Sequence, residues 1–225
     1  MKLTITKEFA SGAALLISLF AAQLTEAQTV SWGSAFGDKL VDSGGLPLGP
    51  EFKFEIGTFN PSFAPAANDP SLWAADWKGF DLASIANDGF APGIGFISRS
   101  VAIDETGKTT STAFAPAVQN FDFRDSDVYL WAYRDNKGVE GGNEFALITD
   151  TSWHFPATVT PTGSPLSFRL AITNTAVLGA AQSADFKLKT AAVGSAPIPE
   201  PTTGLLLVLG GGSLLMRRTR NQSNG

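Results

Sequence analysis

The segment Glu51 to Phe59 (EFKFEIGTF) alternates apolar and polar side chains along most of its length. Phe52, Phe54 and Ile56 fall on one side, and Glu51, Lys53 and Glu55 on the other. A period of two belongs to a strand half-buried against a core, with its charged face in water. Six further short runs follow the same logic: Thr29 to Phe36, Gly93 to Ile103, Val128 to Tyr133, Glu144 to Thr149, Leu166 to Thr173 and Asp185 to Lys189. Turn-forming residues separate them at Asp42-Ser43-Gly44-Gly45, Asp104 to Lys108, Asp135 to Gly142 and Pro161 to Pro165. Short strands between Gly- and Pro-rich turns predict an all-β domain, an antiparallel β-sandwich or jelly roll, because no long helical crossover exists to join parallel strands.

One stretch breaks the rhythm. Asn60 to Asp81 (NPSFAPAANDPSLWAADWKGFD) predicts a short helix capped by Asp69, with Pro70 in its first turn, running to about Lys78. Trp73 and Trp77, four residues apart, would share one face of it and plug an edge of the sandwich. An aromatic sugar-binding surface is the functional alternative for this pair.

The chain contains no cysteine, so disulfide staples, thiolate metal sites and cysteine nucleophiles are excluded. Stability must come from burial, and 17 phenylalanines point to an aromatic core. Between Gln28 and Ala196 there are 11 Lys and Arg against 18 Asp and Glu. That acidic balance, without any basic run, argues against nucleic acid as a partner.

The two ends read differently from the body. Lys2 and Lys7 precede an apolar run from Ala10 to Ala22, and Thr25-Glu26-Ala27 supplies a small residue before a cut between Ala27 and Gln28. This is the pattern of a secretory signal peptide over residues 1–27. The body then spans 28–190, and the stretch 191–198, small and flexible, reads as a linker. Behind it come Pro199-Glu200-Pro201, an apolar segment over about 202–216 containing Gly210-Gly211-Gly212, and a basic cluster of Arg217, Arg218 and Arg220. The segment is short for a membrane span, but flanking arginines can snorkel, and they mark the cytoplasmic side. A single transmembrane helix is therefore expected, with the body on the outer side of the inner membrane.

This three-part tail, together with the signal peptide, resembles the PEP-CTERM sorting signal of exported proteins in Gram-negative bacteria. The resemblance implies that Pro199, Glu200 and Pro201 are the motif read by an exosortase, a membrane-embedded cysteine transpeptidase. It implies cutting near that motif, release or re-attachment at the cell surface, and a link to exopolysaccharide.

Chemistry is sparse in the body. The single histidine, His154, lies between Trp153 and Phe155 with no nucleophile-elbow motif in the chain, which argues for a structural role. Glu51 with Glu55, Glu140 with Glu144, and Asp125 with Asp127 are the carboxylate pairs a glycoside hydrolase would need, and each also reads as a solvated pair. Asp122, Asp125 and Asp127 offer hard oxygen ligands for calcium, although the segment lacks the glycine and closing glutamate of an EF-hand and encloses Arg124. Tyr129, Trp131 and Tyr133 share one face of a strand and Val128, Leu130 and Ala132 the other, so this strand is expected at the centre of a sheet. If the first face is exposed, it forms a platform on which sugar rings stack.

These readings together predict an exported cell-surface or extracellular-matrix protein without cofactor or catalytic residues, structural or adhesive in role. The alternatives are a carbohydrate-binding module built on Tyr129, Trp131 and Tyr133, and a polysaccharide-active enzyme.

Overall fold

The computed structural model describes residues 27–139, 142–160, 163–171, 173–181, 183 and 186–193. The expected signal peptide, apart from Ala27, lies outside them. So do Pro199-Glu200-Pro201, the tail helix and Arg217, Arg218 and Arg220. Among the described residues no helix is long and apolar enough to cross a membrane.

In chain order the elements are β1 (Ala27–Gly33), β2 (Leu40–Val41), β3 (Phe52–Phe59), α1 (Pro70–Asp76), β4 (Trp77–Ala83), β5 (Phe90–Ala91), β6 (Phe96–Asp104), α2 (Pro116–Gln119), β7 (Asp127–Arg134) and β8 (Glu144–His154). Shorter strands complete the body: β9 (Leu166–Arg169), β10 (Thr175–Leu178), β11 (Ala180–Ala181), β12 (Leu188–Lys189) and β13 (Ala191–Ala192). The fold is thus mostly β. A six-stranded sheet runs β10-β8-β7-β3-β4, with β13 also on β8; a four-stranded sheet runs β5-β6-β1-β9; a small third sheet runs β11-β12-β2.

Period two along the strands decides which core each side chain joins. Val128, Leu130 and Ala132 of β7 and Ala146 and Ile148 of β8 meet Val30 and Trp32 of β1, Ile97 and Ile103 of β6 and Phe168 of β9, so the two larger sheets share one apolar core. The opposite face of the six-stranded sheet is not left to water. Trp131, Tyr133, Phe145 and Leu147 pack there with Phe59, Trp73 and Trp77. Helix α1 delivers Trp73 to that face, and Asp69 caps it by accepting from the Ser71 amide at 2.8 Å, with Pro70 in the first turn as expected.

Several expectations change on contact with the structure. The helix stops at Asp76 rather than Lys78, and Trp77 opens strand β4. Trp73 and Trp77 therefore reach the same cluster from a helix and a strand, not from one helical face. Glu55 is 2% exposed instead of facing solvent, because β3 lies between β7 and β4 with both faces covered. Pairing is antiparallel except β1 with β9 and β12 with β2, which are parallel. Gly93 to Ile94 lies in a 3-10 turn ahead of β6, and the strand expected to reach Thr173 ends at Arg169. The expected linker starts too early: Ala191 pairs with Phe145 of β8, and Val193 is buried.

Glycine is required at one joint of the large sheet. The β3–β4 register shifts between Ile56 and Gly57, and a Cβ on Gly57 would run into the Lys78 carbonyl and the Trp77 ring.

Candidate functional site

A cleft of about 220 Å³ opens where β3 leaves the sheet and the β7–β8 pair ends. Tyr129 of β7 contributes its half-buried ring, backed by Phe59 at 5.4 Å between ring centroids in an edge-to-face contact. Phe63 stacks on Phe59 at 5.2 Å and, with Asn60 and Pro61, forms one wall. Asn60 is held by its side-chain amide, which donates to Asp76 Oδ1 at 2.7 Å.

Asp125, Asp127 and His154 form the other wall. Asp125 sits in the left-handed region at φ 56°, which turns the chain into β7. The β7–β8 register then pairs Asp127 with His154, across an irregularity between Asp127 and Tyr129. His154 Nδ1 lies 3.2 Å from Asp127 Oδ1 and its Nε2 3.1 Å from Asp125 Oδ1, so both ring nitrogens face carboxylates. Ser126, the one hydroxyl between the two aspartates, donates to the Phe123 carbonyl.

The hydrogen bond to Asp125 is the largest influence on His154, and with the Asp127 contact it outweighs desolvation, raising the imidazole above its ordinary 6.5. A raised folded-state value means that the clamp stabilises the fold below about pH 6.5. That contribution fades as pH rises through the folded-state value. The chain's single histidine gives one imidazole resonance, and its NMR titration midpoint is expected above 6.5. Replacing Asp125 and Asp127 together by asparagine is expected to bring the midpoint back, and an unchanged midpoint would refute the clamp.

The residues singled out in the sequence are distributed unevenly here. Trp131 and Tyr133 are buried, so Tyr129, Trp131 and Tyr133 form no exposed platform; α1 and its flanking loop cover the strip, and only Tyr129 reaches the cleft. Asp122 turns away from Asp125 and Asp127 and binds the Arg124 guanidinium at 2.6 Å, which holds its carboxyl below the usual range. Among the described residues no three His, Asp or Glu side chains are grouped to hold a metal ion, so the three aspartates do not converge as a calcium site would require. Glu51 pairs with Arg134 at 3.0 Å. Glu140 lies outside the described residues. Burial works to raise Glu144, but Thr190 and the amide and hydroxyl of Ser43 outweigh it and hold that carboxyl below its ordinary range. Ala27 and Gln28, expected to flank the signal-peptide cut, open β1.

The joining of His154 to Asp125 and Asp127 was not foreseen. Counting outward from a Tyr133–Phe145 pair would set Asp127 opposite Thr151; extra residues in β8 beyond Thr149 set His154 there instead, and such a shift leaves no mark in composition.

No family model matches this chain, and no curated protein or solved structure matches it.

Proposed function

We propose that this chain is an exported, non-enzymatic β-sandwich of jelly-roll type, an adhesive component of the cell surface or polysaccharide matrix. It holds a sugar unit in the cleft formed by Asn60, Asp125, Asp127, Tyr129 and His154. The observation that carries the reading is the make-up of the cleft. A half-buried tyrosine ring offers an apolar face to the C–H side of a sugar ring, while two carboxylates and an amide line the same space for its hydroxyls. Its volume lies below the roughly 300–1,000 Å³ of sites for drug-sized ligands, which suits one ring of a chain that continues into solvent.

Binding without turnover is supported by the same contacts. Both imidazole nitrogens are engaged by carboxylates and the Ser126 hydroxyl is committed to a backbone carbonyl, so His154 and Ser126 are not set up as a base and its nucleophile. Delivery rests on the sequence pattern: a signal peptide cut at Ala27–Gln28, Pro199-Glu200-Pro201 as the motif for an exosortase-like transpeptidase, and the apolar tail with Arg217, Arg218 and Arg220 holding the precursor at the inner membrane.

The test uses protein recovered from the envelope or medium of its native cell, whose mass is expected to correspond to a chain from Gln28 to near Pro199. Retention on the exopolysaccharide of that cell is expected to fall about 30-fold on Tyr129→Ala, as for loss of an aromatic anchor, with melting nearly unchanged. Equal retention of the two proteins would overturn the sugar-binding reading. An intact tail through Gly225 would overturn the sorting one.

A further inference from the structure

We infer that Glu55, Trp77, Trp131 and Tyr133 form a recognition cage for an alkylammonium cation, primary or methylated, which Lys137 of this same chain occupies at rest. The cage lies on the helix-covered face of the large sheet and shares no residue with the sugar cleft. Lys137 Nζ is 5.3 Å from the centre of the Trp131 ring, 5.5 Å from Tyr133, 5.9 Å from Trp77 and 6.0 Å from Phe114. Four rings within about 6 Å of one cation is the arrangement that binds quaternary and methylated ammonium groups.

The cage has a charge at its base. Glu55 Oε2 lies 2.5 Å from Lys137 Nζ and accepts from Trp77 Nε1 at 2.6 Å, while Oε1 accepts from the Tyr133 hydroxyl at 2.6 Å. Burial, then the Glu55 charge, pushes the Tyr133 phenol far above its ordinary value, so it stays a neutral donor to the carboxylate. The Glu55 side chain is 3% exposed, and Lys137 is its cationic partner. Take the lysine away and a carboxylate is left buried with two neutral donors and no counter-charge, a state that strongly favours any cation able to enter.

Two features separate this from an ordinary core ion pair. Lys137 is supplied from the turn between β7 and β8, 82 residues from Glu55 in the chain, and its side chain is 25% exposed, so the cage mouth meets solvent. The wall also carries a buried donor, Trp131 Nε1, with no hydrogen-bond partner among the described residues. Packing alone has no use for an unpartnered donor, whereas a ligand with an acceptor near its ammonium group can satisfy it.

The experiment titrates methylammonium, tetramethylammonium and neutral tert-butanol into wild-type protein, Lys137→Ala and Lys137→Met, following tryptophan fluorescence and thermal melting. Trp73, Trp77 and Trp131 stand in one cluster around the site and report on its occupancy. In the lysine variants the cations are expected to saturate the fluorescence change and raise the melting temperature. They should bind at least roughly tenfold more tightly than the alcohol and than they bind wild type, where Lys137 competes. The methionine variant keeps the stem and serves if the alanine variant does not fold; folding of either only in the presence of the cation supports the cage equally. Adding Glu55→Gln to Lys137→Met is expected to abolish the preference for charge. The inference is overturned if the folded variants give no saturable response, or respond alike to cation and alcohol.

Discussion

Trp131→Ala is expected to destabilise the protein by about 3–5 kcal/mol, the usual loss when a large buried aromatic leaves a cavity. The indole has no solvent-exposed surface. It meets Trp73, Trp77, Tyr133 and Phe145 edge to face at 5.8, 5.4, 5.8 and 5.2 Å, and it forms part of the wall around Lys137. These neighbours come from α1, β4, β7 and β8, so no single side chain can swing in to refill the space. Urea unfolding should show a lowered midpoint at nearly constant slope. The comparison with Tyr129→Ala carries information of its own. If the strip were an exposed platform, Trp131→Ala would remove sugar retention and leave stability alone; the buried arrangement requires the reverse order of effects. A loss below about 1 kcal/mol would contradict the packing described.

Asp81→Ala is expected to be comparable, about 3–5 kcal/mol, the size found when one partner of a buried charge pair is removed. Asp81 of β4 is completely buried. Its Oδ2 accepts from Trp32 Nε1 at 2.9 Å and Arg99 Nε at 3.2 Å, and its Oδ1 from Ser111 Oγ at 2.7 Å. Trp32 belongs to β1 and Arg99 to β6, so one carboxylate on the edge of the large sheet bonds to two strands of the other sheet. Alanine would strand an indole donor, a hydroxyl and a guanidinium that keeps only a long contact to the Asn87 carbonyl. At roughly 2–4 °C per kcal/mol for a chain of this size, melting should fall by on the order of 10 °C. Pairing Asp81→Ala with Arg99→Met should recover part of that loss, because the unpaired charge goes with it. A double variant no more stable than Asp81→Ala would show that the stranded guanidinium is not the main source of the loss.

Much of the architecture was legible because it rests on local periodicity. Alternation marked β3, β7 and β8 within a few residues, and both-faces-apolar patterning placed β7 at the centre of its sheet, where it lies. The proline after Asp69 located the start of α1. Its end was not legible: Trp73 and Trp77 have helical spacing, yet Trp77 gains more as the first residue of a strand on β3, where its Nε1 reaches Glu55. The charge at Glu55 read as solvent-facing for the same reason. Within one strand, polar means outward; only the arrival of α1 and the Lys137 turn makes that face an interior.

The sequence by itself determined the β class, the absence of thiol chemistry and the acidic character of the body, since each depends on residue identity or spacing along the chain. Tertiary structure alone decided what meets across it. Strand register set His154 between Asp125 and Asp127, the covering helix closed the Tyr129–Trp131–Tyr133 strip, and a turn 82 residues away brought the Lys137 ammonium to Glu55. The physical reason is that register and covering depend on burial summed over many residues, and no local pattern encodes that sum.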